Sequence, residues 1–308
     1  MKSYGETIKH IRKSKGIVLK ALAGKDLSIS LLSQFENNKT TISCERFHTL
    51  LRKLEVSYDE FVLLHTEEMP NAFSIEMMEY LELMRECSVS GDIDKLTRGL
   101  AALESELRNS YSLRLDHMIQ LLKMDLALKE ILFNREGDFL VELSNYRYLI
   151  EPAQAYLLNV DDWGIYELRL FSYMAVTLAP DLIWRFLQSA IKKSERFCDL
   201  PGNQNILYET LITVATAFCS WKEYAYAFRV ITIMKEKIRT DENVEYTMLI
   251  PFVEGWVLYL SGEEEQGMSL MDSTITMFST LKLEKKREEL QFYQEAVKMK
   301  YPTIWIFV

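Results

Sequence analysis

The side chains able to do chemistry in this 308-residue chain are unevenly divided. Residues 1–65 hold eleven Lys and Arg against seven Asp and Glu, a balance of +4, whereas residues 66–308 hold 25 against 38, a balance of −13. Taken whole, the net charge of −9 argues against a polyanionic partner. Divided, it describes a basic head on an acidic body, and so two jobs for two domains. In the head, Lys13, Lys15, Lys39 and Arg46 are cations of the kind that neutralise phosphates, and Ser30, Ser33 and Gln34 fall on the outward side of one short segment as hydrogen-bonding groups.

Catalytic and metal chemistry find little support. Cys44, Cys87, Cys198 and Cys219 lie far apart with no CxxC pair, and His10, His48, His65 and His117 have no ligand spacing with them. This argues against a disulfide framework and a zinc site and fits a reducing compartment. For Cys44 the default is a buried structural thiol, the alternative a redox contact between paired heads. No phosphate-binding glycine loop, HExxH or GxSxG occurs, and Glu263-Glu264-Glu265 reads as a helix-end cluster rather than a catalytic pair. The fourteen Met residues read as core filler. The expectation is a protein that is not an enzyme and carries no cofactor or metal.

The elements of the head follow from apolar spacing. Residues 3–15 set Ile8 and Ile11 among Lys and Arg, a helix with one buried stripe that Gly16 ends. A short second helix holds Leu19, Leu22 and Ala23. Ser28 caps a third that turns Leu32 and Phe35 inward and stops at Asn37-Asn38, since Asn tolerates left-handed backbone. A fourth from about Ser43 buries Phe47, Leu50, Leu51 and Leu54, and a fifth carries Tyr58, Phe61 and Leu64. Five short helices with a close second–third pair describe a helix-turn-helix domain.

The run Leu31-Leu32-Ser33-Gln34-Phe35-Glu36-Asn37-Asn38-Lys39 resembles the "lSxfExGk" signature of lambda-repressor-like (XRE) domains. Ile42 to Phe47, Leu54 to Phe61 and the opening GETIKHIRKSKG are similar, more narrowly, to the Rgg/GadR/MutR regulators. The sequence departs from the pattern where Lys25-Asp26-Leu27 replaces the usual interhelical glycine and Asn38 the glycine after the third helix. The resemblance implies that the third helix enters the major groove of double-stranded DNA. Ser30, Gln34 and Ile29 then face base edges, Gln suiting the N6/N7 edge of adenine and Ile a thymine methyl. Lys13, Lys15, Lys39, Thr40 and Arg46 become phosphate contacts, and Ser28 and Asn37 complete the DNA-binding set. Glu36 stabilises the fold, because a carboxylate facing phosphates is repelled. The rival reading makes all of these solvated residues on a small helical domain. One such head contacts few base pairs, so a homodimer on two half-sites is expected.

In the body, turn-like breaks at Gly91-Asp92, Gly137-Asp138, Pro180-Asp181, Trp221-Lys222 and Gly262-Glu263 are spaced by 46, 43, 41 and 41 residues. That regularity predicts a right-handed stack of helical hairpins like tetratricopeptide repeats, with longer units. The fold class is therefore all-α, with a five-helix lambda-repressor-like head. The concave wall would be lined by first helices at about 73–88, 112–134, 163–178, 204–219 and 244–260. Arg85, Arg169, Tyr173, Asn205, Tyr208 and Trp256 would stand exposed there, with Arg147 a further candidate. An extended peptide needs Asn for its backbone, a cation for its carboxylate and aromatic walls. The family resemblance implies a short imported signalling peptide in this groove. For each residue the rival is a core aromatic or a solvated Arg. The acidic excess either coats the outer surface or selects a basic peptide.

Domain bounds are expected at 1–65, a linker over 66–71, and 72–308. No signal peptide opens the chain, and the apolar stretch Met248 to Leu260 is broken by Pro251 and Glu254 and too short to span a bilayer, so a cytoplasmic protein with no membrane partner is expected. The apolar run Thr303 to Val308 should be buried, by the last repeat or, preferably, across a dimer interface. The functional expectation is a transcription regulator controlled by a peptide in quorum sensing. Its rivals are a constitutive helix-turn-helix repressor whose repeats only dimerise or bind a protein, and a scaffold with no DNA role.

Overall fold

A computed structural model describes residues 3–25, 27–66, 93–134, 139–198, 204–238 and 243–299. The expected linker beyond Thr66, the first body helix with Arg85, the breaks at Gly91-Asp92 and Gly137-Asp138, and the apolar tail lie outside the described residues. The chain divides into two compact units, Met1–Leu81 and Glu82–Val308.

The first unit contains α1 (Tyr4–Ser14), α2 (Leu19–Leu22), α3 (Ile29–Glu36), α4 (Cys44–Leu54) and α5 (Tyr58–Thr66). Serines cap α1, α3 and α4, whereas α2 starts at Val18 with no side-chain cap. Ser3 forms a reciprocal capping box with Glu6, Ser28 accepts from the Leu31 amide, and Ser43 accepts from the Arg46 amide. The core gathers Ile8, Ile11, Leu22, Leu27, Leu32, Phe35, Phe47, Leu50, Leu51, Leu54 and Phe61. On α5 only Phe61 is buried. Tyr58 and Leu64 are exposed, because a nine-residue helix offers a single short stripe to so small a core. Cys44, expected buried, is also exposed. It is the first residue of α4, ahead of the buried positions that start at Phe47.

Both departures from the usual glycines have a physical solution. The turn between α2 and α3 closes through paired backbone bonds between Gly24 and Leu27, and Leu27 itself enters the core. After α3, Asn38 takes left-handed backbone at φ 59°. Its amide bonds to the Phe35 carbonyl and the next amide to the Gln34 carbonyl, the Schellman arrangement.

The second unit is built of helices α6 (Ile93–Asn109), α7 (Leu113–Asn134), α8 (Phe139–Asn145), α9 (Glu151–Asn159), α10 (Ile165–Met174), α11 (Pro180–Cys198), α12 (Gln204–Ser220), α13 (Tyr224–Lys237), α14 (Val244–Ser261), α15 (Glu264–Thr280) and α16 (Glu284–Lys298). The expected first helices recur as α7, α10 with its 3₁₀ extension Ala175–Thr177, α12 and α14. Two features were not read from the sequence. The partner of α7 is bent into α8, a 3₁₀ turn at Arg147–Ile150 and α9, with Pro152 in the first turn of α9 and Gln120 of α7 accepting the Ala153 amide. And α16 adds a helix beyond the last hairpin.

The hairpin turns repeat one device. Lys222 (φ 58°), Gly262 (φ 114°) and Lys282 (φ 57°) each terminate a helix with the same pair of backbone bonds seen at Asn38. Next to the second of these turns α14 and α15 cross at Gly255 and Gly267, where a Cβ on either glycine would lie 2.5 Å from the other's carbonyl oxygen. Among the described residues no helix is long and apolar enough to cross a membrane.

Candidate functional site

In the head, α3 is held from behind. Leu32 and Phe35 sit in the core, and Glu36, only 2% exposed, receives two hydrogen bonds from Arg12: Nε to Oε1 at 2.6 Å and Nη2 to Oε2 at 2.7 Å. Arg12 Nη1 also donates to the Ile17 carbonyl at 2.7 Å, so one guanidinium ties α1, α3 and the turn into α2. The pairing with Glu36 raises the Arg12 pKa further and keeps it charged. Glu36 therefore has the structural role expected of it. The outer edge of α3 carries Ile29, 46% exposed, with Ser30 and Gln34 also exposed. Among the described residues no hydrogen bond engages the side chain of Ser30 or Gln34.

The other candidates in this stretch divide. Lys13, Lys39 and Arg46 are exposed, and Thr40 is half-buried with its hydroxyl 3.3 Å from the Thr41 carbonyl. Ser28 is exposed but engaged as the α3 cap. Asn37, expected to meet DNA, is committed inside the head: Oδ1 accepts from Lys9 Nζ and Nδ2 donates to the Ser33 carbonyl, both at 2.7 Å. Lys15 donates to the Glu55 carbonyl at 3.0 Å, bracing the end of α4. Lys53, which the sequence did not single out, does the same for α2 through the Leu22 and Ala23 carbonyls at 2.7 and 3.1 Å. These lysines donate to helix-end carbonyls that have no intrahelical donor, a role that composition cannot distinguish from phosphate binding.

In the body, several candidates converge. Arg169 Nη2 of α10 lies 3.8 Å from Glu209 Oε2 of α12, and Tyr246 of α14 donates to Glu209 Oε1 at 2.7 Å. The Tyr208 ring is 5.7 Å from that of Tyr246, and its hydroxyl donates to the Lys237 carbonyl at 2.9 Å. Tyr173, one turn along α10 from Arg169, has its phenol pushed up to about 12 by burial, against the pull of the neighbouring guanidinium. Three successive first helices are thus tied by one polar cluster. Tyr173 and Tyr208, expected exposed, are buried in it. Glu209 and Tyr246 were missed, although Arg169 and Glu209 stand 40 residues apart, close to the repeat interval.

Trp256 is corrected outright: it is 0% exposed and packs on Phe252 and Tyr293. The added helix α16 supplies Tyr293 and closes over it. Asn205 stands exposed in the first turn of α12. Arg147 lies in the 3₁₀ turn, its guanidinium carbon 5.4 Å from the centre of the Trp221 ring. Among the described residues no three His, Cys, Asp or Glu side chains group as a metal site requires.

A serine-capped helix-turn-helix head joined to a body of stacked helical hairpins is the class these features define. Residues 142–292 match the family described as HTH-type transcriptional regulator Rgg, C-terminal domain. Solved structures share the fold over nearly their whole length. The Streptococcus dysgalactiae SHP pheromone receptor Rgg2 superposes with a TM-score of 0.69 at 19% identity, covering 97% of this chain and 100% of that one. A Listeria monocytogenes EGD-e protein assigned to the transcriptional regulators gives 0.73 at 18%, covering 96% and 97%. PrgX, in its complex with cCF10, gives 0.63 at 14%, covering 98% and 95%.

Proposed function

We propose that the chain is a cytoplasmic, homodimeric transcription regulator whose residues 1–65 read an operator in double-stranded DNA and whose residues 72–308 bind a short signalling peptide. The observation that carries the DNA half is the division of labour in the head. Glu36, Asn37 and Lys15 are consumed by internal bonds, while Ile29, Ser30 and Gln34 stand exposed on the outer edge of α3 with no side-chain bond among the described residues, and Lys13, Lys39 and Arg46 are exposed cations. Such an edge suits base contacts in a major groove, with the cations on flanking phosphates. The peptide half is supported by the fold shared with a pheromone receptor and with PrgX bound to cCF10, and by the polar cluster of Arg169, Glu209 and Tyr246 spanning three hairpins.

To regulate, the peptide must bind one arrangement of the heads more tightly than another. A full reversal from 1:99 to 99:1 takes about 5.5 kcal/mol of differential affinity, which two sites in a dimer share. The test is selection of binding sites from random duplex DNA, followed by titration of variants on the selected site. Gln34→Ala should cost about 1–3 kcal/mol and relax preference at one position per half-site, while Lys13→Ala should weaken all sequences alike and reduce the salt slope by about 1. An unchanged preference in Gln34→Ala overturns the reading assignment; failure to select any sequence overturns the DNA role.

A further inference from the structure

Two helices of the acidic body are basic. The helix α11 holds four Lys and Arg against Asp181 and Glu195, and α13 holds three against Glu236, so each carries +2. Every other described α-helix of the second unit is neutral or acidic, down to −3 in α15. Neither α11 nor α13 is one of the first helices to which the peptide groove is assigned. Their cations are also left without carboxylates. Lys193 donates to the Val160 carbonyl at 2.5 Å, and Lys235 to both oxygens of Glu254 at 2.8 Å. Arg185, Lys192, Arg196 and Arg229 are exposed, and among the described residues none of them meets a carboxylate. On α16, by contrast, Lys286, Arg287 and Lys298 each pair with a glutamate of the same helix. Arg185, Lys192 and Arg196 fall within roughly 40° of one another around α11 and extend along roughly 16 Å of it. Like charges one turn apart, as at Lys192 and Arg196, oppose the helix that carries them.

An aromatic platform adjoins this stripe. Trp184 of α11 and Tyr226 of α13 are half-buried, with ring centres 5.3 Å apart, and both rest on Phe218 of α12, which is 1% exposed. Arg229 lies over the pair, its guanidinium carbon 4.1 Å from the indole centre and 5.5 Å from the phenol ring centre. The other cations over indoles differ. Lys193 lies over Trp163, which is wholly buried, and the Arg147 Nε over Trp221 is shielded from solvent, whereas Arg229 and both rings beneath it reach solvent. A guanidinium stacked on an aromatic face keeps the donors at its edge available to carboxylates. Trp, Tyr and Arg held rigid in this way are the residues that carry most of the binding energy at protein interfaces.

Charge selects the occupant. With the +4 of these two helices set aside, the rest of residues 66–308 carries −17. A nucleic-acid duplex, with one charge per about 1.7 Å of its axis, would be repelled by that remainder beyond the two helices. A short segment with carboxylates spread over about 16 Å meets the basic stripe alone. The indole and phenol faces require an apolar side chain beside those carboxylates. We infer that the paired faces of α11 and α13 dock an acidic segment of a partner protein. Its carboxylates meet Arg185, Lys192, Arg196 and Arg229, and an aliphatic or aromatic residue lies against Trp184 and Tyr226. This contact is additional to the DNA and peptide roles and does not depend on either.

The probes are three labelled peptides of about fourteen residues, with Leu and Phe at the same positions and Glu, Gln or Lys elsewhere, and a mixed-sequence duplex. Each is titrated by fluorescence anisotropy onto the full-length protein at low and physiological salt. Wild type should bind the Glu peptide about tenfold or more tightly than the Gln peptide at low salt, and less so as salt rises. The double variant Arg185→Gln, Arg229→Gln should reduce that preference to about threefold or less, while Lys13→Gln, Lys39→Gln in the head should leave it intact. Equal binding of the Glu and Gln peptides by wild type overturns the inference, as does a full preference in the Arg185, Arg229 variant or an equal loss in the head variant. Duplex binding that falls in the Arg185, Arg229 variant as far as Glu-peptide binding does assigns the face to nucleic acid and also overturns it. Should Arg229→Gln melt early, Arg185→Gln, Lys192→Gln carries the comparison, since both side chains are exposed. A reduced preference there supports the docking face, and an undiminished one overturns it.

Discussion

At the scale of single residues, the protein spends its charges in two ways, and burial separates them. Arg12 and Glu36 face each other with almost no water around them, so removing one partner strands the other. Arg12→Ala is expected to destabilise the head by about 3–5 kcal/mol, measured as a loss of cooperative unfolding by urea in the full chain. Lys13→Ala, at an exposed position, should change stability by less than about 0.5 kcal/mol. His117 is the second case. It is 3% exposed, with Nδ1 2.6 Å from the Tyr166 hydroxyl and its ring 4.9 Å from that of Tyr156. Burial holds its pKa below the ordinary 6.5, outweighing the opposite pull of Asp116 and Glu167. The folded state thus binds this proton less readily than the unfolded chain. Stability from this residue is complete above about pH 6.5 and is lost as the pH falls through the window between the unfolded and the lower folded value. A melting series from pH 7.5 to 5 should fall in wild type and be flatter in His117→Gln.

At the scale of elements, helix ends decide the architecture. The Schellman turns at Lys222, Gly262 and Lys282 recur at intervals of 40 and 20 residues, and only one of the three uses glycine. A side chain at positive φ costs about 1 kcal/mol, so Lys222→Gly and Lys282→Gly should each raise stability by about 0.5–1 kcal/mol, measured as an upward shift of the urea midpoint at constant slope. The same economy explains what could be read beforehand. Glycine at 262 marked its turn plainly and Trp221-Lys222 was caught through spacing, but Lys282 looked like any surface lysine and α16 went unread with it. The bend carrying Arg147 was hidden because Pro152 suits a helix start as well as a break, and only the seat offered by Gln120 selects the former. In the head, serines in the N-cap position and the Phe35–Glu36 run made the helices and the inward role of Glu36 legible. What sequence could not supply was the distinction between a lysine that caps a helix and one that meets phosphate, since Lys15, Lys53 and Lys13 differ only in which carbonyls lie within reach.

At the scale of the molecule, residues 1–65 and residues 66–308 carry opposite charge, and their chemistry should separate with salt. Each head cation engaged on a phosphate contributes a slope of about −0.9 to the dependence of log affinity on log salt. Lys13→Ala, Lys39→Ala and Arg46→Ala should each remove about one unit of slope per head, read from DNA titrations between 50 and 200 mM salt as an order-of-magnitude range. Lys15→Ala should lower stability more than it lowers the slope, because its amine is already spent on Glu55. Unchanged slopes in all three exposed variants would assign the basic surface to another role.

The crossing of α14 and α15 at Gly255 and Gly267 bears on how such a body can move. With two backbones this close and no side chain between them, sliding or rolling of either helix meets steric conflict, so their amides should be among the last of the unit to open to solvent. Deuterium uptake should therefore be slowest at this crossing and faster around the interrupted α8 and α9. That end of the repeat stack should then act as a frame, with any deformation on ligand uptake expected in the hairpins ahead of it and read as a change in their deuterium uptake alone.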